Sequence, residues 1–275
     1  MKTSEHKQTF IQEMKRRGYR QNSIQNYSSC IDVFLSTVKK DHPKNINEQD
    51  IKDFLRNCVK ANTQRNYHSA IKLFYEICLN QKQKFKNIPY TKVDKNIPII
   101  LSVEEIQKMF NVCENKKHKL MLALLYSCSL RVSELINLKW KDVDRSRMVI
   151  YILNAKCGKD RQVGLNESLI KLMEDYYREY KTQSFIFSGQ FGEKYSDRSV
   201  GQVVKQLAKK AGINKRVYTH LIRHCSASHL LDVGTDIHMI QRLLGHSSVK
   251  TTSIYLHTSH TTISKIKSPL ENISL

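Results

Sequence analysis

The segment HLIRHCSASHLLDVGTDIHMIQRLLGHSSVKTTSIYLH, residues 220–257, decides how the rest of the chain is understood. It sets His220, Arg223, His246 and Tyr255 among apolar residues at helical spacing, with Gly234 and Gly245 where helices stop. Short helices that exclude water and aim a few polar groups at one place are how reactive sites are commonly built. The spacing sharpens the grouping: His220 and Arg223, at i and i+3, share a helix face, and Gly245 lets the chain turn so that His246 points back. Tyr255 falls late in a separate short helix, where limited mobility would let it be withdrawn.

Working upstream, a helix over Asp197–Lys210, a short strand at Phe185–Phe187 and a helix over Glu167–Tyr180 precede this segment. Before them the period changes from helical to extended. MVIYIL (148–153) and RQVGL (161–165) flank NAKCGKD, which predicts a β-hairpin with a basic turn. HKLMLALLYSCS (118–129) is apolar on all sides and predicts a buried helix, with Arg131 just beyond its end. Ser102, with Glu105 three residues on, is a capping box that opens this domain.

Residues 1–86 predict a bundle of short helices. A first helix runs from Ser4 to about Arg17. A second, capped by Asn22 or Ser23, carries the stripe Ile24, Tyr27, Ile31, Phe34 and Leu35; a third opens at Asn47 or Glu48; and Thr63 caps a fourth. The stretch QKQKFKNIPYTKVDKNIP (81–98) is rich in lysine and holds two of the four prolines, so no packed core is expected there. The expected division is a helical domain over 1–86, a basic linker over 87–101 and a second domain over 102–275. The fold class is mainly α with a small antiparallel sheet in the C-terminal domain.

Lys and Arg number 46 against 25 Asp and Glu, a formal charge of +21 spread over 275 residues. Such an excess calls for a polyanionic partner, and nucleic acid is favoured over an anionic membrane. No apolar run approaches the ~20 residues of a spanning helix, and MKTSEHKQTF lacks the apolar core of a signal peptide, so a soluble cytoplasmic protein is expected. The seven cysteines are scattered without a CxxC pair, which supports neither a disulfide framework nor a thiolate zinc site.

LRVSEL (130–135), AKCGKDRQV (155–163), HLIRH (220–224) and LLGHSSVKTTSIY (243–255) together resemble the motif series of the tyrosine recombinase, or phage integrase, family, and most of all its small two-domain Xer-type and integron-type members. A lone HxxR is common; these four segments in this order, ending in a GHSS…TT…Y segment, are specific. The motifs span about residues 100–260. The basic helical N-terminal domain fits the family's core-binding domain, and the whole implies a two-domain DNA clamp.

The resemblance implies that Tyr255 attacks a phosphodiester of double-stranded DNA, leaving a 3′-phosphotyrosyl bond and a free 5′-hydroxyl. Exchange of one phosphodiester for another conserves bond energy, so no cofactor and no metal is implied. Arg131 and Arg223 match the arginines that clamp the charge developing on phosphorus, for which a planar, always-cationic guanidinium is suited. Lys156 matches the hairpin lysine that protonates the departing 5′-oxygen, and Lys159 is a rival for that position. His220 matches the general acid/base near the tyrosine, and His246 the second histidine, which bonds the phosphate. Glu134 holds the family's acidic position and is expected to buttress the site. His224 and His229 are given supporting roles. The chain departs from the family pattern at Ser129, where glycine is frequent, and at Gly164, where proline is; neither change removes a reactive group.

The implied assembly is a tetramer on two duplexes passing through a Holliday junction, with room for an accessory recombinase or DNA-bending protein. Ile263, Ile266, Leu270 and Ile273 form a mildly amphipathic tail, which in the family docks on a neighbouring protomer. The first helix is expected to start almost at Met1, so no arm-binding domain is expected, which favours the simpler systems. Taken alone, an arginine after a buried helix or a tyrosine in an amphipathic one is more often structural; the motif series reverses that weighting here. Two other readings stay open, a catalytically silent DNA-binding protein of the same fold and a type IB topoisomerase-like nicking and relaxing enzyme. A zinc site from His220, Cys225 and nearby histidines is allowed by spacing, but no acidic general base accompanies it.

Overall fold

The computed structural model describes residues 2–58, 60–92, 99–153, 160–189 and 194–257. The chain divides into two compact units, residues 1–95 and 96–275. Among the described residues no helix is long and apolar enough to cross a membrane.

The first unit is built from α1 (Lys2–Arg16), α2 (Gln21–Val38), α3 (Glu48–Arg56) and α4 (Ala61–Cys78). The apolar stripe read on α2 turns inward: Ile24, Ile31 and Phe34 are buried with Phe10, Ile51, Phe74 and Tyr75. Asn47 caps α3, accepting the Asp50 N–H at 2.8 Å, while the Asp50 carboxylate accepts the Asn47 N–H at 2.9 Å. The other two expected caps differ. α2 and α4 begin earlier, behind Arg20 and Lys60, neither of which makes a side-chain cap bond. Burial of an amphipathic face, worth far more than one cap, sets where these helices start.

The expectation of a coreless segment from residue 81 also needs correction. Lys82–Phe85 form a 3-10 turn, and Phe85 and Ile88 are buried in the first unit's core. Ile88 is held further by its carbonyl, 2.8 Å from His68 Nε2. Lys82 and Lys86 face water, Lys84 is half-buried with its Nζ over the Tyr75 ring and donates to the Lys44 carbonyl at 3.1 Å, and two large apolar side chains suffice to anchor the stretch. Residues 93–98 of the expected linker lie outside the described residues.

In the second unit α5 (Val103–Asn111), α6 (Lys116–Ser127), α7 (Val132–Asn137), α8 (Glu167–Tyr180), α9 (Asp197–Lys210) and α10 (Thr219–Asp232) supply the main core, while α10 and α11 (Ile237–Leu244) share a second, smaller apolar cluster with Tyr255, which follows the short α12 (Val249–Thr252). The Ser102–Glu105 capping box that opens α5 is present in both directions. In α6, Leu120 through Leu125 are all buried, which accounts for a helix that is apolar on every side. The hairpin is an antiparallel pair, β2 (Val149–Ile152) with β3 (Arg161–Gly164), extended by a two-residue strand β1 (Val143–Asp144) in the order β1-β2-β3. Two residues are too few to show a period of two, so β1 left no pattern in the sequence. The strand expected at 185–187 makes one bridge, Lys139 with Phe185. Its apolar residues are used in packing instead: Ile186 and Phe187 are fully buried, and Tyr176 Oη donates to the Ile186 carbonyl at 2.8 Å.

Candidate active site

The turn that follows α6 positions two of the sequence candidates at once. Ser129 is fully buried and has a φ of 48°, the left-handed region where glycine is at ease. A side chain there costs roughly 1–2 kcal/mol. Its hydroxyl lies 2.6 Å from Ser226 Oγ on α10, a contact glycine could not make, and its carbonyl accepts Arg223 Nη1. The backbone then extends through Arg131, which immediately precedes α7. One turn thus delivers Arg131 and grips Arg223.

Arg223 is 1% exposed. Besides Ser129 its guanidinium donates through Nη2 to the Leu244 carbonyl at the end of α11, and Nη1 stands 4.0 Å from the Glu134 carboxylate. Burial, then repulsion from Arg131, draws its pKa down to about 9, which leaves it cationic at neutral pH. Arg131 donates from Nη1 to Glu134 Oε1 at 2.8 Å and from its backbone N–H to Oε2, also at 2.8 Å.

Glu134 has a second partner that sequence reasoning missed. Arg161, first residue of β3, donates from Nη1 to Glu134 Oε1 at 2.8 Å and from Nη2 to Oε2 at 2.7 Å, a bidentate pair. Its Nε donates to the Leu243 carbonyl at 2.7 Å, and its side chain is 6% exposed. Burial pushes the Glu134 carboxyl up, but the bonds and charge of Arg161, followed by those of Arg131, hold it down at about 2. The signal was the strand alternation, since Arg161 shares a face with buried Val163 while Gln162 and Gly164 face out. Gly245, in the left-handed conformation at the C-cap of α11, lies so close that a Cβ would stand 3.1 Å from Arg161 Cδ.

Beyond Gly245 the chain turns as its glycine predicted, and His246 Nδ1 lies 3.0 Å from Thr252 Oγ1. Burial, then the charges of Arg223 and Arg131, lowers His246 to about 4, so it is neutral at physiological pH. Tyr255 sits in a 3-10 turn, Ser253–His257, and is 2% exposed. Rather than hanging free it packs on Ala227, Leu231, Ile240 and Leu244. Burial raises its pKa, and Arg223 and Arg131 pull the other way, so the phenol stays protonated with two guanidiniums in electrostatic range. His224 is closer to the chemistry than its supporting role suggested, with Nδ1 2.9 Å from the Tyr255 hydroxyl. His220, exposed at the start of α10, stacks edge-on with His224 at 4.7 Å between ring centroids.

The remaining candidates divide. His229 is structural: Nδ1 is 2.8 Å from Tyr126 Oη and Nε2 is 2.9 Å from the Leu101 carbonyl. Cys225 accepts the Leu101 N–H at 3.3 Å, and among the described residues no three His, Cys, Asp or Glu side chains group as metal ligands. Lys156, Lys159 and the tail beyond residue 257 lie outside the described residues. Beside the cluster a cleft of about 640 Å³ is lined by Asp160, Arg161, His238, Gln241, Arg242 and His246, among others.

Two guanidiniums beside a phenolic hydroxyl can hold the non-bridging oxygens of a phosphoryl group while the oxygen attacks. The sequence profile of the phage integrase family matches residues 100–261, which enclose every one of these side chains. The chain belongs to the phage integrase family. A profile of that family's N-terminal SAM-like domain matches residues 7–84. Within the family the chain is similar to Xer-type tyrosine recombinases. It is 30% identical to tyrosine recombinase XerC of Bacillus pumilus, over 90% of each chain. The fold is also that of two DNA complexes. One is XerH site-specific recombinase in a post-cleavage complex with palindromic difH substrate, with a TM-score of 0.72 at 23% identity, covering 89% of this chain and 78% of that one. The other is a lambda integrase tetramer bound to a Holliday junction, with a TM-score of 0.78 at 19% identity, covering 94% and 78%.

Proposed function

We infer that this integrase-family chain is a tyrosine-type site-specific DNA recombinase that cuts and rejoins duplex DNA through a 3′-phosphotyrosyl intermediate, working as a tetramer through a Holliday junction. The observation that carries this reading is the Tyr255 hydroxyl, buried and hydrogen-bonded to His224, within electrostatic range of Arg223 and Arg131. In that setting Tyr255 is the nucleophile, and Arg131 and Arg223 bind the non-bridging oxygens as charge accumulates on phosphorus. His246 orders the phosphate and His220 takes part in proton transfer. Lys156, or Lys159 in its place, protonates the leaving 5′-oxygen. The charge of +21 attracts the DNA backbone through counterion release. Residues 1–86 serve as the core-binding domain and residues 102–275 as the catalytic domain. The tail seats on a neighbouring protomer, and the enzyme works in the cytoplasm, where its DNA is.

The test is a set of nicked suicide duplexes carrying sites captured from genomic DNA. The wild-type protein is expected to form a covalent adduct on its own site and Tyr255→Phe to form none. An adduct on every sequence would mark a topoisomerase-like enzyme instead, and no adduct a silent DNA binder.

A further inference from the structure

We propose that His224 is the base that takes the hydroxyl proton from Tyr255 as the tyrosine attacks. The proposal rests on the recombinase reading and gives to His224 the proton acceptance that the motif resemblance implies for His220. His224 Nδ1 stands 2.9 Å from the Tyr255 hydroxyl, within the range for direct proton transfer. The two rings are tilted by 50° with centroids 5.4 Å apart. A neutral imidazole has one lone pair and one N–H, and the phenol is the stronger acid, so the hydroxyl donates to Nδ1 and the ring hydrogen sits on Nε2.

The surroundings keep that lone pair available. His220 and Arg223 face His224 from its own helix, Tyr255 from the 3-10 turn, and His246 from the segment after α11. Burial, then His220 and Arg223, holds the His224 pKa down at about 4, so the ring is an uncharged acceptor when DNA arrives. The same charges would oppose an imidazolium before DNA binds. An incoming phosphate monoanion against Arg131 and Arg223 offsets them, and the base gains strength only once the scissile group is in place.

The step balances without another reactant. The Tyr255 O–H bond breaks and its proton passes to Nδ1, while an oxygen lone pair forms the new O–P bond. The P–O5′ bond breaks with its electron pair, and the 5′-oxygen takes a proton from the hairpin lysine. In ligation the 5′-hydroxyl attacks phosphorus and gives its proton back to the hairpin lysine, the tyrosine oxygen leaves with the O–P electron pair, and the imidazolium returns the proton to it.

A 5′-bridging phosphorothiolate separates this role from leaving-group protonation, because sulfur departs without a proton. His224→Asn keeps a hydrogen-bonding atom near the Nδ1 position but cannot accept the proton. On nicked suicide duplexes with oxygen or sulfur at that position, adduct formation by His224→Asn should be on the order of 100-fold or more below wild type on both. Lys156→Ala, or Lys159→Ala if that lysine is the acid, should recover on sulfur. On the sulfur substrate the wild-type rate should fall toward acid pH while the His224→Asn rate stays flat. Mobility shift and thermal unfolding check DNA binding and fold, and His224→Gln is measured in the same way if the asparagine variant does not fold. Recovery of the His224 variant on sulfur would overturn the proposal by moving the residue to the leaving group. A rate equal to or above wild type would overturn it by making the contact a latch on the tyrosine. Absence of any wild-type adduct would remove the recombinase reading itself.

Discussion

Arg161 and Glu134 face each other with two parallel N–H···O bonds of 2.8 and 2.7 Å, across 27 residues of sequence. Through this pair β3, which follows the hairpin turn, is locked to the first turn of α7, which follows Arg131. Arg161→Met should leave a buried carboxylate short of charge and cost about 3–5 kcal/mol of stability. Arg161→Lys, which keeps the charge but loses the fork, should fold better than the methionine variant yet still cleave at least ~10-fold more slowly than wild type. Urea unfolding and single-turnover adduct formation measure the two effects.

Arg131 and Arg223 should separate on stability while agreeing on activity. Either alanine substitution removes a charge from the clamp and should lower cleavage by a factor of about 100–1,000. The Arg131 side chain is 21% exposed, whereas Arg223 is 1% exposed and bonded to two buried carbonyls. Arg223→Ala strands those carbonyls at about 1–3 kcal/mol each, so its melting temperature should fall well below that of Arg131→Ala. Both variants should still shift duplex DNA in gels.

Acid should weaken the folded state in two stages. His224 and His246 have pKa values of about 4 when folded, against ~6.5 in an unfolded chain. The unfolded chain therefore binds their protons first, and their contribution is complete above pH ~6.5 and lost as pH falls through about 4. Glu134, at about 2 against ~4.3 unfolded, adds a contribution present above pH ~4.3 and lost toward 2. Melting curves from pH 7.5 to 3 should show a decline that His246→Gln softens in the upper stage and Glu134→Gln in the lower.

Ser129 offers a test of backbone strain against hydrogen bonding. Ser129→Ala keeps the left-handed strain and removes the bond to Ser226, and should cost about 1–3 kcal/mol. Ser129→Gly loses the same bond but relieves the strain, so it should be the more stable of the two by about 1 kcal/mol in urea unfolding.

Truncation after about residue 261 removes the amphipathic tail and leaves Tyr255 in place. Synapsis of two duplexes should weaken more than binding of one, as sedimentation of the protein–DNA complexes would register. Unchanged synapsis would rule out a docking role for the tail.

What the sequence made legible follows from the range of each interaction. Capping boxes at Asn47 and Ser102 act over three residues, and the HxxR pair shares one helix face, so local spacing was enough. The hairpin showed because two strands alternate across a basic turn. The Arg161–Glu134 pair could not show in this way, because its partners meet only after β3 and α7 have packed. His224 was discounted because a histidine one turn from a better-matched one looks redundant until the tyrosine's position is known. Composition misled at Phe85 and Ile88, where a lysine-rich stretch masked two residues that belong to the core. At Ser129 the missing glycine looked like a local departure, and only the Ser226 contact explains how a side chain is tolerated there.

Arg131, Arg161 and Arg223 gather around the carboxylate of Glu134, so that three cations share one anion. On the proposed mechanism a DNA phosphate adds the next anion to this group. Substrate is then a structural component as well as a reactant, and an oxyanion of phosphate shape should tighten the catalytic unit against heat even when no bond can be cut. On that reading, part of the affinity for the scissile phosphate is present before DNA arrives, held as repulsion among cations that folding has forced together.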